Sequence, residues 1–262
     1  MMNLKIYIAN AFADNQFGGN PAAVVPLEKW LSESLMQQIA AQNNLAETAF
    51  IVPQNEDYTI RWFTPTVEVA LCGHATLASA HIFFNYLGYH RDQIIFHSKS
   101  GPLHVSKSGD QKITLDFPAD RLTATNVPDL IEQGLKVKPV ETYKSSFDYM
   151  AVLNSQEEIE ELFPDFSVLA KLPSRGMIVT ARGRSSDFVS RCFFPQSGID
   201  EDPVTGSAHT ALVPYWAEKL GKPKLSAIQL SRRKGYLDCE LNKDRVLMSG
   251  RAFTYLVGEI SI

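Results

Sequence analysis

Two stretches of this chain repeat one another. Phe63-Thr-Pro65, followed by Cys72-Gly73-His74-Ala75 and Ala78, returns as Phe193-Phe-Pro195, followed by Thr205-Gly206-Ser207-Ala208 and Ala211. In both copies a strand pattern ends in an aromatic and a proline, a loop follows, and a helix rich in Ala, Ser and Thr opens at glycine plus a polar residue. A few matched small residues also arise by chance, and it is this shared context that carries the repeat. A chain duplicated in this way is limited to architectures built from two similar halves. The prolines stand 130 positions apart and the glycines 133, so the second copy holds three extra residues, most simply placed in the acidic loop Asp200-Glu201-Asp202. Helices with only small side chains on their first turns allow close backbone approach, as a central helix surrounded by sheet requires. Their N-termini also present unpaired N–H groups and the positive end of a helix dipole, a natural receptor for a carboxylate gripped by Gly73–His74 and Gly206–Ser207. The competing reading is an ordinary cap, with Thr205 and Ser207 satisfying their own helix.

Around these copies, segments rich in β-branched and aromatic residues predict strands over Leu4–Ile8, Ala49–Val52, Tyr58–Phe63, Ile94–His97, Lys112–Phe117, Gly176–Thr180, Phe188–Phe194, Tyr236–Glu240, Val246–Ser249 and Thr254–Ile260. Helical patterns cover Ser32–Asn43 with Ser32 as N-cap, Gly73–Leu87, Glu157–Leu162, and Gly206–Leu220 with Pro214 as a kink or early turn. The expected class is α+β. Neither a GxGxxG turn after a strand nor a GxxxxGK[ST] loop occurs, so dinucleotide and nucleoside triphosphate sites have no motif support.

With 262 residues, 45% of them hydrophobic, the chain is long enough for one large or two modest cores. The net charge of −4 leaves Arg232-Arg233-Lys234 as the one tight basic cluster, which argues against nucleic acid. Cys72, Cys192 and Cys239 are too dispersed for a disulfide framework or a zinc spacing and suit a reducing compartment. Met1–Asn10 reads as a short alternating strand, and no apolar run approaches about 18 residues. A cytoplasmic protein with no membrane partner is expected.

Moving a proton between carbons requires a group that accepts it at one carbon and returns it at another; a carboxylate in an apolar site does both. Glu47 lies between Leu45-Ala46 and Ala49-Phe50-Ile51, so partial burial is one reading and an exposed Glu between a helix and a strand the other. His74 either donates to a substrate oxygen or caps its helix, and a helix start favours its neutral form. Asp202 before Pro203, like Gly19-Asn20 before Pro21, reads as a turn when taken alone. Cys72 sits where a thiolate is stabilised, yet a packed small side chain is an equal reading. His81, His90, His97, His104 and His209 have no ligand-like spacing and read as surface or satisfied core residues.

Asn10-Ala-Phe12, Phe17-Gly-Gly-Asn-Pro-Ala-Ala-Val24, Asn44-Leu-Ala-Glu-Thr-Ala-Phe50, Arg61-Trp-Phe-Thr-Pro65, Cys72-Gly-His-Ala-Thr76 and Asp202-Pro-Val-Thr-Gly-Ser-Ala208 resemble, in order and spacing, the motifs of PhzF-like (phenazine-biosynthesis-like) proteins. The resemblance runs from end to end. It implies the diaminopimelate-epimerase-like fold, two pseudo-symmetric halves that each wrap a mixed sheet or barrel around a central helix. The N-terminal half is expected over residues 1–119, completed by a C-terminal strand at 253–262, and the C-terminal half over 120–252, with the active site in the cleft between. By motif, Glu47 corresponds to the general acid/base, and His74, Asp202 and Ser207 to substrate-orienting residues; Gly19 and Asn20 become pocket wall beside Gly73 and Gly206. Related racemases and epimerases use a cysteine at each helix start. This chain keeps Cys72 on one side and places Thr205 on the other, too weak a base for a two-thiol mechanism. The resemblance therefore implies a cofactor-independent, metal-free isomerase acting on a small carboxylate and forming a homodimer. Its alternatives are an amino-acid racemase or epimerase using Cys72 and a catalytically silent binding protein. Arg232-Arg233-Lys234 falls where many relatives are Gly-rich near the pocket, and is either a charge at its mouth or a solvated turn.

Overall fold

The computed structural model describes residues 2–126 and 129–262; Met1, where the N-terminal strand reading starts, lies outside them. The chain divides into two compact units, Met1–Asp116 with Ser249–Ile262, and Phe117–Met248.

In the first unit β1 (Asn3–Ala11) pairs antiparallel with β2 (Asn20–Pro26) on one side and with the C-terminal strand Ala252–Ser261 on the other. After α1 (Glu33–Asn43), β3 (Glu47–Gln54) runs parallel to β2, and β4 (Asp57–Phe63) turns back antiparallel to it. The short β5 (Glu68–Val69) leads into α2 (Gly73–Tyr86). Then β6 (Gln93–Ser98) returns parallel to β4, and β7 (Gly101–Lys107) and β8 (Ile113–Pro118) continue antiparallel. Strands β2 and β3 are apolar on both faces because both are covered. Ala23, Val25, Phe50 and Val52 pack with Met36 and Ile39 of α1, and alternation turns Ala22, Val24 and Ala49 to the other face, against α2. Gly73 to Ala80 are buried without interruption, so every side of the first two turns of α2 is enclosed, which only small side chains permit. Its hydroxyls are satisfied within the helix, Ser79 Oγ donating to the Ala75 carbonyl at 2.7 Å.

The second unit repeats this connectivity. Following β9 (Thr123–Ala124) and α3 (Asp129–Leu135), β10 (Glu141–Lys144) and β11 (Asp148–Val152) pair antiparallel. Two short helices, α4 (Gln156–Glu160) and α5 (Phe166–Leu169), precede β12 (Gly176–Arg182), parallel to β11, and β13 (Phe188–Phe193), antiparallel to β12. After α6 (Gly206–Leu220), β14 (Lys224–Gln229) lies parallel to β13 and β15 (Gly235–Asn242) antiparallel to β14, with β16 (Arg245–Gly250) following. The alternation antiparallel, parallel, antiparallel, parallel, antiparallel is that of β1, β2, β3, β4, β6 and β7, so the repeat is one of architecture as well as motif. Val179 and Ala181 of β12 face an outer layer that includes Ile131, Leu135, Ile159 and Leu169. Thr180, on the opposite face, accepts at 2.9 Å from the indole N–H of Trp216 on α6. Each unit is thus a mixed sheet with helix outside and a central helix inside. Pro214 is accommodated within α6 because the Thr210 carbonyl, deprived of its i+4 donor, accepts instead from the Asp120 N–H at 3.0 Å. Among the described residues no helix is long and apolar enough to cross a membrane.

Candidate active site

Strands β2 and β3 are parallel neighbours, paired from Ala22 with Glu47 onward, so Asn20 and Glu47 stand at one end of the sheet. The α2 helix begins there. The Asn20-Pro21 turn reading is corrected: the turn ends at Gly19, and Asn20 already pairs with Ala11 of β1. Gly19 has φ +67, and a Cβ there would stand 2.3 Å from the Ala11 carbonyl oxygen, so only glycine fits. Asn44, left-handed at φ 50, stops α1 and sends the chain into β3. Within β3, Phe50 and Val52 face α1, and alternation turns Glu47 toward α2.

The Glu47 side chain is 13% exposed and that of His74 5%, with Oε2 and Nε2 3.0 Å apart. This is ion-pair distance, and each atom has the other as its partner. The other ring nitrogen of His74, Nδ1, lies 3.1 Å from Asn20 Nδ2 and 3.6 Å from Cys72 Sγ. Contacts on both ring nitrogens work against the neutral form that a helix start favours. Burial works against the charged ring, but nearby negative charge outweighs it and holds the pKa well above the ordinary range. The Cys72 sulfur contributes first and the Glu47 carboxylate second.

Cys72 is buried, and burial, reinforced by the Glu47 carboxylate, pushes its thiol up to about 11 although His74 pulls the other way. Desolvation therefore overrides the helix start that would favour a thiolate. At pH 8, alkylation of Cys72 by iodoacetamide is expected to run about a hundredfold slower than that of an ordinary cysteine, as peptide mass spectrometry of timed samples would show.

Thr205 does not cap its helix with its side chain, so that cap reading is corrected, whereas the Cys72 sulfur meets the Ala75 N–H in the first turn of α2. Thr205 Oγ1 donates instead to Asp202 Oδ2 at 2.6 Å. The part-buried Ser207 follows Gly206 at the start of α6. In the longer loop of the second copy, Glu201 receives Arg191 through Nε at 2.7 Å and Nη2 at 3.0 Å, which anchors the extra residues. Gln229 escaped the sequence reading. Fully buried, it accepts from the Thr205 N–H at 2.8 Å and donates to the Asp202 carbonyl at 2.8 Å, holding the loop that carries Asp202. The signal was there: Leu225, Ala227 and Gln229 share the inward face of β14, and an inward amide in such a row needs partners. The basic cluster follows β14, beside Ser231, whose hydroxyl donates to the Pro203 carbonyl at 2.8 Å.

His209 is a core residue of α6, with Nδ1 2.8 Å from the Thr205 carbonyl. Burial depresses its pKa to about 4. The unfolded chain takes up a proton below about 6.5 while the native ring does not. Stability is therefore full above pH 6.5 and falls as the pH drops toward 4, by about 3 kcal/mol. His209→Phe is expected to remove most of that loss, measured as the difference in denaturant unfolding between pH 7 and pH 4.5. His81, also lowered to about 4 by burial, retains its own share of the slope.

Matched mixed sheets around buried central helices define an epimerase-like fold. The structure matches a hydroxyproline epimerase from Agrobacterium vitis with a TM-score of 0.63 at 9% identity over 98% of this chain and 92% of that one, a likeness of fold. It matches a phenazine biosynthesis protein of the PhzF family from Enterococcus faecalis with a TM-score of 0.96 at 46% identity, covering both chains completely. An uncharacterized isomerase of Pseudomonas aeruginosa is 48% identical over the full length of both chains. The sequence model of the PhzC-PhzF family, described as phenazine biosynthesis-like protein, matches residues 9–258. This chain belongs to that family and is an isomerase.

Proposed function

We propose that the protein shifts a proton between carbons of a small carboxylate-bearing molecule, with Glu47 as the group that removes and returns it. One observation carries this reading: a buried carboxylate and a buried imidazole whose facing atoms lie 3.0 Å apart. Two proton-carrying groups brought together at this depth have coupled protonation states, which is what a proton-transfer site requires. Glu47 takes the proton as the C–H bond breaks, and the electron pair spreads into the adjoining unsaturated or carboxylate system. The protonated His74 donates to the oxygen on which charge develops, and the N–H groups opening α2 receive the carboxylate. Glu47 then delivers the proton to the second carbon. Acid, base and anion receptor are all supplied by protein, so this route needs no cofactor.

A racemase mechanism through Cys72 is disfavoured on the same grounds. Its thiol is a buried acid with a pKa of about 11, and the hydroxyl at the matching position, Thr205, is spent on Asp202. The test is a metabolite extract incubated with the protein in deuterated water and followed by mass spectrometry and NMR. One metabolite should gain deuterium or change isomer; an extract left wholly unchanged would favour the binding-protein reading.

A further inference from the structure

We propose that a cavity at the C-terminal end of α2, remote from Glu47 and His74, binds a small organic anion with a flat ring, of which an aryl phosphate is the simplest form. The cavity has a volume of about 490 Å³, within the range of small-molecule sites. Its walls come from three segments of the first unit: the last two turns of α2, the hairpin that joins β7 to β8, and the first residues of the C-terminal strand. At about 1.5 Å per residue, Asn85 stands roughly 16 Å along α2 from His74. The two ends of the helix therefore serve separate sites, and this one depends on none of the roles given to Glu47 and His74.

The walls are built in advance. Asp110 and Gln111 both have φ 60, the conformation that closes a two-residue hairpin turn, and the Lys112 N–H returns to the Gly109 carbonyl at 3.3 Å. Arg251 Nε donates to the Asp110 carbonyl at 3.1 Å and latches this turn to the start of the C-terminal strand. Across the cavity, His81 Nε2 lies 2.9 Å from Thr254 Oγ1, and Asn85 Nδ2 lies 3.2 Å from His81 Nδ1. The Asn85 amide is a donor, so Nε2 carries the ring proton and donates to Thr254. Burial, which lowers the His81 pKa to about 4, keeps this ring neutral at pH 7.

Charge and shape select the ligand. Lys107, Lys112 and Arg251 stand around the cavity, and none of the described residues lining it is Asp or Glu. Lys107 meets Asp92 at 3.5 Å, an exposed pair that solvent screens and that an anion can outcompete. Its ammonium also lies 4.8 Å from the centre of the Phe84 ring, so charge and aromatic face are presented together. Phe84, Tyr86 and Phe253 give a flat ring its apolar walls. A phosphate, with close to two negative charges at pH 7, matches three cations better than a carboxylate does.

Amide NMR of the full chain titrated with phenyl phosphate tests the site, with inorganic phosphate and benzyl alcohol as probes of the two halves of the ligand. The expected result is saturable shifts at Ser108, Lys112, Phe253 and Thr254, each half-probe binding about tenfold or more weakly than phenyl phosphate. Arg251→Gln and Lys112→Gln should each weaken phenyl phosphate about tenfold, the worth of a charged hydrogen bond, and affinity should fall as sodium chloride is raised. Shifts confined to the Gly73–Ala75 amides would place the anion at the start of α2 and overturn the site, as would silence at every amide or cavity shifts that survive both substitutions. Inorganic phosphate binding as tightly as phenyl phosphate overturns the recognition of a ring. Should a variant misfold, nuclear Overhauser contacts in the wild type decide alone: contacts from the phenyl protons to Phe84 and Phe253 support the cavity, and their absence at saturating phenyl phosphate refutes it.

Discussion

Glu47→Gln is expected to lower deuterium incorporation into the responsive metabolite by a factor of about 10²–10⁴, the range in which a positioned acid/base acts. The amide keeps the volume of the side chain at the start of β3, so the register of Glu47 with Ala22 and the packing of Phe50 and Val52 against α1 have no reason to change. What disappears is the capacity to hold a proton. His74 also loses the carboxylate 3.0 Å away that favours its charged form, so its pKa falls. The ring should then titrate at lower pH in the variant, which NMR of the imidazole reads separately from activity. An unchanged rate with a shifted His74 would mean that Glu47 is not the base and would turn attention to Cys72.

Arg175→Met is expected to cost about 1–3 kcal/mol of unfolding free energy, because it strands the buried Asp148 carboxylate at a pair whose arginine is 37% exposed. Asp148, 2% exposed at the start of β11, receives the guanidinium of Arg175 as a fork, Nε to Oδ1 at 3.0 Å and Nη2 to Oδ2. The guanidinium also faces the rings of Phe147 and Phe194 at 5.4 Å and 5.1 Å, and methionine preserves much of that apolar contact. The loss therefore falls on the carboxylate. Arg175→Met combined with Asp148→Leu should recover most of the stability, because replacing both members of a buried pair is far milder than removing one. Denaturant unfolding of the two single variants and the double variant gives the coupling directly; equal losses in the double and single variants would assign the cost to packing instead.

Much of this architecture is legible in the chain because local and global signals agree where it matters. Ser32 caps α1 by accepting from the Leu35 N–H, and the Gly-polar-Ala openings mark the first residues of α2 and α6. The strands that escape are those whose ends look like turns. Asn20-Pro21 follows two glycines, yet the β2–β3 ladder begins at Ala22, so the missing N–H of Pro21 falls outside it. Lys224–Gln229 carries Lys, Ser and Gln with few apolar residues, and only its buried alternate face shows it to be a strand. The short helices α3 and α5 are held by the hydrophobic cluster they share with β12 and β13 rather than by their own periodicity. In the site, the Glu47 motif could be recognised but not its partner. That β3 would bring Glu47 against the start of α2, and so work against the neutral form expected of His74, is a property of strand register. Gln229 stayed hidden for the same reason.

The pairing of β1 with Ala252–Ser261 makes the two units differ in what they need from the rest of the chain. The second unit is contiguous in sequence, whereas the first takes one of its strands from the far side of the second. The first unit, although it holds Glu47 and His74, has an open edge on β1 until the later strand arrives to form its longest ladder. A chain that lacks Ala252–Ser261 would present an unpaired β1 edge, beside the proton-handling pair, to chaperones and to other chains.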